Sequence, residues 1–152
     1  MHIVLCAVGR MKAGPEASLF EHYLKRIPWT FDVVEVAEHR KLAVPEMRRA
    51  EAELLLSKVP NGANVVVLDE RGKDMDSRGL AQKIGEWRDT GCRQVAFIIG
   101  GADGVDESLR KRANLVLSFG RLTWPHMLVR PLLAEQVYRA HAILSGHPYH
   151  RD

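Results

Sequence analysis

The sequence predicts an α/β fold in which helices flank a mainly parallel sheet. Short continuous apolar segments recur along the chain, and such segments are typical of strands that are buried on both faces. Amphipathic segments with helical periodicity lie between them. Because strands that alternate with helices form parallel sheets, this order of segments indicates the class. A length of 152 residues suits one domain, so residues 1–152 are predicted to form a single unit.

Five segments are predicted to be strands, because each is an apolar run bounded by turn residues. The first begins at His2 and ends at Gly9, and the fourth ends at a Gly-Gly pair. The charged residues 70–73 follow the third run and are predicted to form a loop. The predicted strands are residues 2–8, 31–37, 63–68, 94–99 and 114–119.

Five further segments are predicted to be helices. Pro28 stops the first, and Pro45 opens the second at a position that proline tolerates. Asp76 or Ser77 is the predicted N-cap of the third. The last carries one apolar stripe, which predicts a contact face for a second copy of the chain. The predicted helices are residues 16–27, 46–58, 77–89, 106–113 and 131–145.

Composition narrows the class of protein. With 46% hydrophobic and 27% charged residues, the chain is predicted to fold rather than to remain disordered. A net charge of +3 is a mild basic bias that is compatible with RNA as a partner. Cys6, which is predicted to be buried, and Cys92 form neither a disulfide framework nor a metal-ligand pattern. No apolar run approaches the ~18 residues of a membrane span, so we expect a cytoplasmic protein without metal or membrane contact.

Two loops at predicted strand ends are the candidate binding site, because open α/β sheets bind ligands at such places. These are the glycine-rich residues 100–104 and the loop 119–125, which carries apolar residues where a plain loop is usually polar. The glycines could instead form a plain tight turn, and the second loop could be a strand extension packed into the core. Gly9 and Gly14 have the spacing of a phosphate-binding loop, but Pro15 stands where that motif needs lysine. The residues indicate a small-molecule pocket without covalent or metal chemistry.

The final helix and the tail supply candidate polar residues. His126 follows a Trp-Pro pair, and a structural role is the alternative to a catalytic one. In the tail, Tyr149 could stack on a base and Arg151 could contact phosphate, whereas the alternative is a frayed terminus.

Four motifs resemble one known family in order and spacing. They are Val-Leu-Asp-Glu-Arg-Gly-Lys at 67–73, Phe-Ile-Ile-Gly-Gly-Ala-Asp-Gly at 97–104, Leu-Thr-Trp-Pro-His-Met-Leu-Val-Arg at 122–130 and His-Pro-Tyr-His-Arg at 147–151. Together they resemble the ribosomal RNA large subunit methyltransferase H family, a minimal branch of the SPOUT superfamily of S-adenosylmethionine-dependent methyltransferases. The resemblance covers essentially the whole chain.

This resemblance implies a SPOUT-type sheet with a C-terminal trefoil knot, a homodimer, and methylation of N3 of a pseudouridine in 23S ribosomal RNA of the assembled ribosome. It also implies the residues that hold S-adenosylmethionine. Trp124 stands where the family has a small aliphatic residue, and Met127 stands where proline or glutamine is common. The implied donor-binding residues are Leu68, Gly100, Phe119, Gly120, Arg121, Leu122, Thr123 and Trp124.

The general base is left open among His150, His126 and Glu135. His150 ranks first, because a mobile tail can close over a bound nucleotide. The expected RNA contacts are Arg130, Arg139, Tyr149 and Arg151. Two rival functions remain: another nucleotide-binding α/β enzyme that uses residues 100–104, and a non-catalytic ribosome-binding assembly factor that uses the tail.

Overall fold

A computed structural model describes residues 1–151 and arranges five strands and five helices within them. The strands form one sheet in the order β2-β1-β4-β3-β5, and every neighbouring pair is parallel. The predicted α/β class with a parallel sheet is therefore confirmed. In chain order the elements are β1 (His2–Val8), α1 (Pro15–Leu24), β2 (Thr30–Val36), α2 (Val44–Leu56), β3 (Asn64–Asp74), α3 (Ser77–Asp89), β4 (Gln94–Ile99), α4 (Glu107–Arg112), β5 (Leu115–Ser118) and α5 (His126–Ser145).

Helices cover both faces of the sheet, as the continuous apolar strands require. In β1 the side chains alternate: Ile3 and Leu5 join the apolar cluster under α1, α3 and α5, whereas Val4 and Cys6 join the cluster under α2 and α4. Cys6 is fully buried, as predicted, and burial raises the pKa of its thiol to about 11. The strand is thus buried on both sides.

The apolar stripe of α5 has a different role from the predicted one. Leu133, Val137 and Ala140 are almost fully buried in the chain's own core, against α1 and α3. The prediction that this stripe is the contact face for a second copy is therefore wrong. A helix packed on a sheet must bury one face within its own domain before any face is left for a partner.

Strand β3 is longer than predicted, and the prediction of a loop at residues 70–73 is wrong. Leu68 pairs with Leu117 of β5, and after a register shift Lys73 pairs with Leu117 and Asp74 with Ser118. Gly72 makes this second pairing possible, because a Cβ there would lie 2.6 Å from the Leu117 carbonyl carbon. The charged residues therefore obscured a backbone pairing that extends β3.

Helix α5 begins at His126, five residues before the predicted start at Pro131. The carbonyl of Pro125 accepts hydrogen bonds from the N–H groups of Leu128 and Val129, at 2.9 and 3.2 Å. Proline inside a helix usually marks a boundary because it lacks the N–H donor, yet α5 continues through Pro131.

At the start of α3 the Asp76 carboxylate accepts a hydrogen bond from the Gly79 N–H at 2.7 Å, which confirms the predicted cap.

Among the described residues, no helix is long and apolar enough to cross a membrane.

Candidate active site

A cavity of about 390 Å³ lies between residues 68–71 of β3 and the segments that follow β4 and β5. It contains seven of the eight residues that were expected to hold the methyl donor; Arg121 is exposed and outside the lining. Three neighbouring parts of the sheet thus supply one concave surface, as expected for an α/β ligand site. The expected residues in the lining are Leu68, Gly100, Phe119, Gly120, Leu122, Thr123 and Trp124.

The loop after β5 projects from the sheet and is not a strand extension packed into the core. Gly120 has φ 98°, a conformation that favours glycine, and the Ser118 hydroxyl donates to the Gly120 carbonyl at 2.8 Å. The Trp124 indole N–H donates to the Phe119 carbonyl at 3.2 Å. Leu122 remains 71% exposed. These bonds hold the loop in one shape while its apolar side chains stay accessible.

The glycine-rich loop after β4 forms a tight turn and also lines the cavity. The N–H of Gly104 donates to the Gly101 carbonyl at 3.1 Å. A Cβ on Gly100 would lie 2.6 Å from Val105 Cγ1, so a side chain at this position would collide with its neighbour. Burial, followed by the charge of Asp103, raises the pKa of Glu51, whose carboxylate accepts from the Gly101 N–H. The two interpretations of these glycines, a tight turn and a loop that lines the binding site, are therefore compatible.

Charged side chains form the rim of this cavity. Asp69 and Arg110 form an ion pair at 2.7 Å, and Asp69 also accepts from the backbone N–H of Arg71 at 2.9 Å. Arg48, from α2, completes the basic part of the rim. Sequence reasoning missed Glu51, Arg48 and Arg110, because their charges fit ordinary exposed helix faces.

His126 lies in the wall of the cavity at the start of α5. Burial, followed by the charge of Arg130, lowers the pKa of its imidazole. The ring is therefore neutral near pH 7 and can accept a proton. A Cβ on Gly9 would lie 3.7 Å from His126 Nε2, so the residue that follows β1 lies near the imidazole.

Arg130 is not an RNA contact, and this prediction is wrong. Its side chain is fully buried and pairs with Glu35 at 2.5 Å. It also donates to the carbonyls of Val8 and Gly9, at 3.2 and 2.6 Å. A phosphate cannot reach a guanidinium that is enclosed in this way. The helix turns this side chain inward, toward Glu35 of β2.

The remaining polar candidates form a second group along α5. Arg139 pairs with Glu135 at 2.5 Å, and its Nη1 lies 3.1 Å from Nδ1 of His150. The Tyr149 hydroxyl donates to Glu135 at 2.9 Å, and its ring lies under the guanidinium of Arg139. The Tyr149 pKa is raised to about 12, first by burial and then by this bond. Arg151 is exposed. The tail is thus docked on α5 in the described conformation. His150 and Glu135 lie in this group, whereas His126 lies in the wall of the cavity.

A second cavity, of about 760 Å³, lies on the other side of the loop after β5. Phe119, Gly120 and Trp124 line both cavities, and Glu135 lines only this one. His150 belongs to neither lining. Of the three base candidates, His126 alone lies in the wall of the cavity that the expected donor-binding residues share.

Fold and cavity together define an α/β protein with a ligand site at its strand ends, and sequence comparison defines the class more closely. Residues 1–150 match a family described as a predicted SPOUT methyltransferase. The chain belongs to this SPOUT methyltransferase family, which confirms the predicted class of enzyme.

Curated relatives match almost end to end. A protein of Paramagnetospirillum magneticum is 56% identical over 99% of both chains, and one of Rhodospirillum centenum is 52% identical over the same shares. Each is named ribosomal RNA large subunit methyltransferase H, so the family that the four motifs indicated is confirmed. Among solved structures, the SpoU methyltransferase AviRb of Streptomyces viridochromogenes, in complex with AdoMet, aligns with a TM-score of 0.45 at 10% identity, covering 91% of this chain and 57% of that one.

Proposed function

We propose that this chain transfers a methyl group from S-adenosylmethionine to N3 of a pseudouridine in 23S ribosomal RNA within the assembled ribosome. The names of its relatives support ribosomal RNA methylation. The observation that carries the proposal is the convergence of Leu68, Gly100 and the loop 119–124 on one cavity that also contains His126.

The cavity fits a nucleoside-sized methyl donor. Its volume of about 390 Å³ lies in the range of roughly 300–1,000 Å³ that small-molecule sites occupy. The buried backbone at Gly100 and the left-handed turn at Gly120 bring main-chain groups to its surface without intervening side chains. These two segments, with Leu68 between them, are the residues that would hold the donor.

S-adenosylmethionine supplies an electrophilic methyl group attached to a sulfonium sulfur. The part played by this chain is to orient the base and to hold its proton. His126, neutral because burial and Arg130 lower its pKa, accepts the N3 proton as the N3 lone pair forms its bond to the methyl carbon. The carbon–sulfur bond breaks, so the sulfur leaves neutral and the imidazole carries the proton. His150 and Glu135 remain candidates that would require movement of the tail or of α5 side chains.

Several further properties are parts of the same proposal. The chain acts as a homodimer of single domains, residues 1–152, in the cytoplasm where ribosomes are found. The C-terminal half of the chain forms a trefoil knot, as the resemblance to the methyltransferase H family implies. Arg139, Tyr149 and Arg151 contact RNA once the tail has left its docked position.

The deciding experiment offers labelled S-adenosylmethionine with assembled ribosomes that lack the modification and, separately, with free ribosomal RNA. Label on one pseudouridine of the large-subunit RNA, located by nuclease digestion and mass spectrometry, is the expected result. Donor binding without transfer would mean that the pocket is right and the target is wrong. Ribosome binding without donor binding would favour an assembly factor, and tight binding of another nucleotide would favour a different enzyme.

A further inference from the structure

The excess of positive over negative charge in this chain lies in two loops. Residues 9–14 and 37–43, here called the cationic loops, contain four of the 22 Lys and Arg residues and one of the 19 Asp and Glu residues. The rest of the chain therefore has equal numbers of both kinds, and the net charge of +3 resides in these thirteen residues. The charged residues of the cationic loops are Arg10, Lys12, Glu38, Arg40 and Lys41.

The cationic loops leave the sheet side by side. β1 and β2 are parallel neighbours whose last residues, Val8 and Val36, are paired. The N–H of Gly9 donates to the Val36 carbonyl at 2.9 Å, which extends the pairing into the first loop. Positive side chains on the two loops therefore add to one local field at the carboxyl edge of the sheet.

The Glu35–Arg130 ion pair holds the first cationic loop in place. Glu35 accepts from the backbone N–H of Met11 at 2.8 Å and from Arg130 at 2.5 Å. Arg130 in turn donates to the carbonyl of Gly9 at 2.6 Å. Both ends of this short segment are tied to the ion pair, and the side chains of Arg10 and Lys12 are exposed to solvent.

Three of the positive charges are available to a partner. Arg10, Lys12 and Lys41 are exposed and make no side-chain hydrogen bond or ion pair with any residue between 1 and 151. Arg40, by contrast, is held by Glu38 through two hydrogen bonds of 3.0 and 2.9 Å. An acidic side chain of the same protein thus satisfies only one of the four.

The cationic loops adjoin the candidate active site. Gly9, the first residue of one loop, lies near His126, which lines the cavity. In the sheet β1 lies next to β4, whose following loop forms another wall of that cavity. A polyanion bound across these loops would therefore extend to His126 and the cavity.

We infer that Arg10, Lys12 and Lys41 form the phosphate-binding surface that seats the RNA strand beside His126, with the Glu35–Arg130 pair positioning the first loop. This inference rests on the proposed function for the identity of the polyanion. The surface carries no base-reading groups, so it sets affinity and register rather than sequence preference. Arg130 thus serves RNA binding through the loop that it holds, not by contact.

The test compares three proteins: the wild type, the variant Arg10→Gln/Lys12→Gln/Lys41→Gln, and a matched control, Lys25→Gln/Lys58→Gln/Arg93→Gln. The control residues are exposed and precede β2, β3 and β4, so the same charge is removed at the opposite edge of the sheet. For each protein, binding to assembled ribosomes is titrated across a series of salt concentrations. Donor binding is measured by calorimetry, and circular dichroism checks the fold.

The first triple variant is expected to bind ribosomes about tenfold to a hundredfold more weakly at about 0.1 M salt and to show a salt slope lower by about two to three. Donor binding should be unchanged, and the control should resemble the wild type. Equal losses in both triple variants, or no loss in the first, would overturn the inference. If ribosome binding by the three proteins follows this pattern but the wild type transfers no methyl group, the proposed function would be refuted and the phosphate-binding surface would still be supported.

Discussion

Arg130 of α5 and Glu35 of β2 form an ion pair, with Nη1 and Oε1 2.5 Å apart and the Glu35 side chain 31% exposed. The Arg130 side chain has no solvent exposure, and its Nε is the one buried side-chain nitrogen or oxygen in residues 1–151 that lacks a hydrogen-bond partner. A buried charge is expensive to leave unpaired, so the start of α5 depends on a carboxylate that lies 95 residues away in sequence. The pair connects the helix that carries His126 to the end of the sheet.

Replacing Glu35 should destabilise the fold. Glu35→Ala leaves the Arg130 charge with carbonyl partners alone and frees the Met11 N–H, so we expect a loss of about 3 kcal/mol in the free energy of unfolding. Glu35→Gln keeps an acceptor and should lose less. Urea unfolding measures both, and Glu21→Ala, at an exposed site on α1, is the control. Equal stability of Glu35→Ala and the control would contradict this role.

The contribution of Glu35 should depend on pH. Burial raises the pKa of Glu35. Hydrogen bonds from Met11 and Arg130, together with the charges of Arg130 and Arg10, lower it by more, so the pKa lies below its ordinary value. A carboxylate with a lowered folded pKa stabilises the fold above the unfolded value of about 4.3, and this stability is lost as pH falls through the folded pKa. The stability difference between wild type and Glu35→Gln, measured by urea unfolding, should therefore be constant from pH 7 to about 5 and shrink below about 4.

His126 should control the acid side of the activity profile. Its pKa is lowered by burial and then by Arg130, so wild-type kcat should fall only at a pH below the ordinary histidine value of about 6.5. His126→Gln should lower kcat by about a hundredfold or more, lose this acid limb and retain donor binding. His22→Gln is the matched control, because His22 is an exposed residue of α1. An unchanged kcat would move the role of base to His150 or Glu135.

Gly72 should tolerate no side chain. A Cβ there would lie 2.6 and 2.8 Å from backbone atoms of Leu117, and backbone cannot move aside as a flexible side chain can. Gly72→Ala should cost about 3 kcal/mol and weaken donor binding, because the β3–β5 contact supports the cavity. Gly14→Ala is the control, since its added methyl would meet only Glu16 at 3.6 Å. Thermal unfolding and calorimetry would measure the two effects.

Trp124 should report donor binding by fluorescence. It lines the cavity with 39% of its surface exposed, so a bound donor should change its surroundings. Adding S-adenosylmethionine should alter the emission of the wild type and of Trp29→Phe, whereas Trp124→Phe should give no change. A response that survives in Trp124→Phe would place the donor elsewhere.

Local patterns of the sequence determined the class of fold. Continuous apolar runs, such as residues 2–8, predict strands that are buried on both faces, and the structure confirms both the parallel sheet and the helices on each side. The four family motifs also indicated the enzyme class. They can be recognised in the sequence without any knowledge of the order of the strands in the sheet. The candidate donor residues could be collected from three separate segments of the chain for the same reason.

Only the tertiary structure decided which way individual polar side chains face. Arg130 and Arg139 lie on the same helix and have the same chemistry, yet one is enclosed beside Glu35 and the other forms a partly exposed pair with Glu135. Periodicity could not separate them, because burial of an arginine depends on a carboxylate from a distant strand. The extended β3 at Gly72 was hidden likewise, since backbone pairing between segments far apart in sequence leaves no local signal.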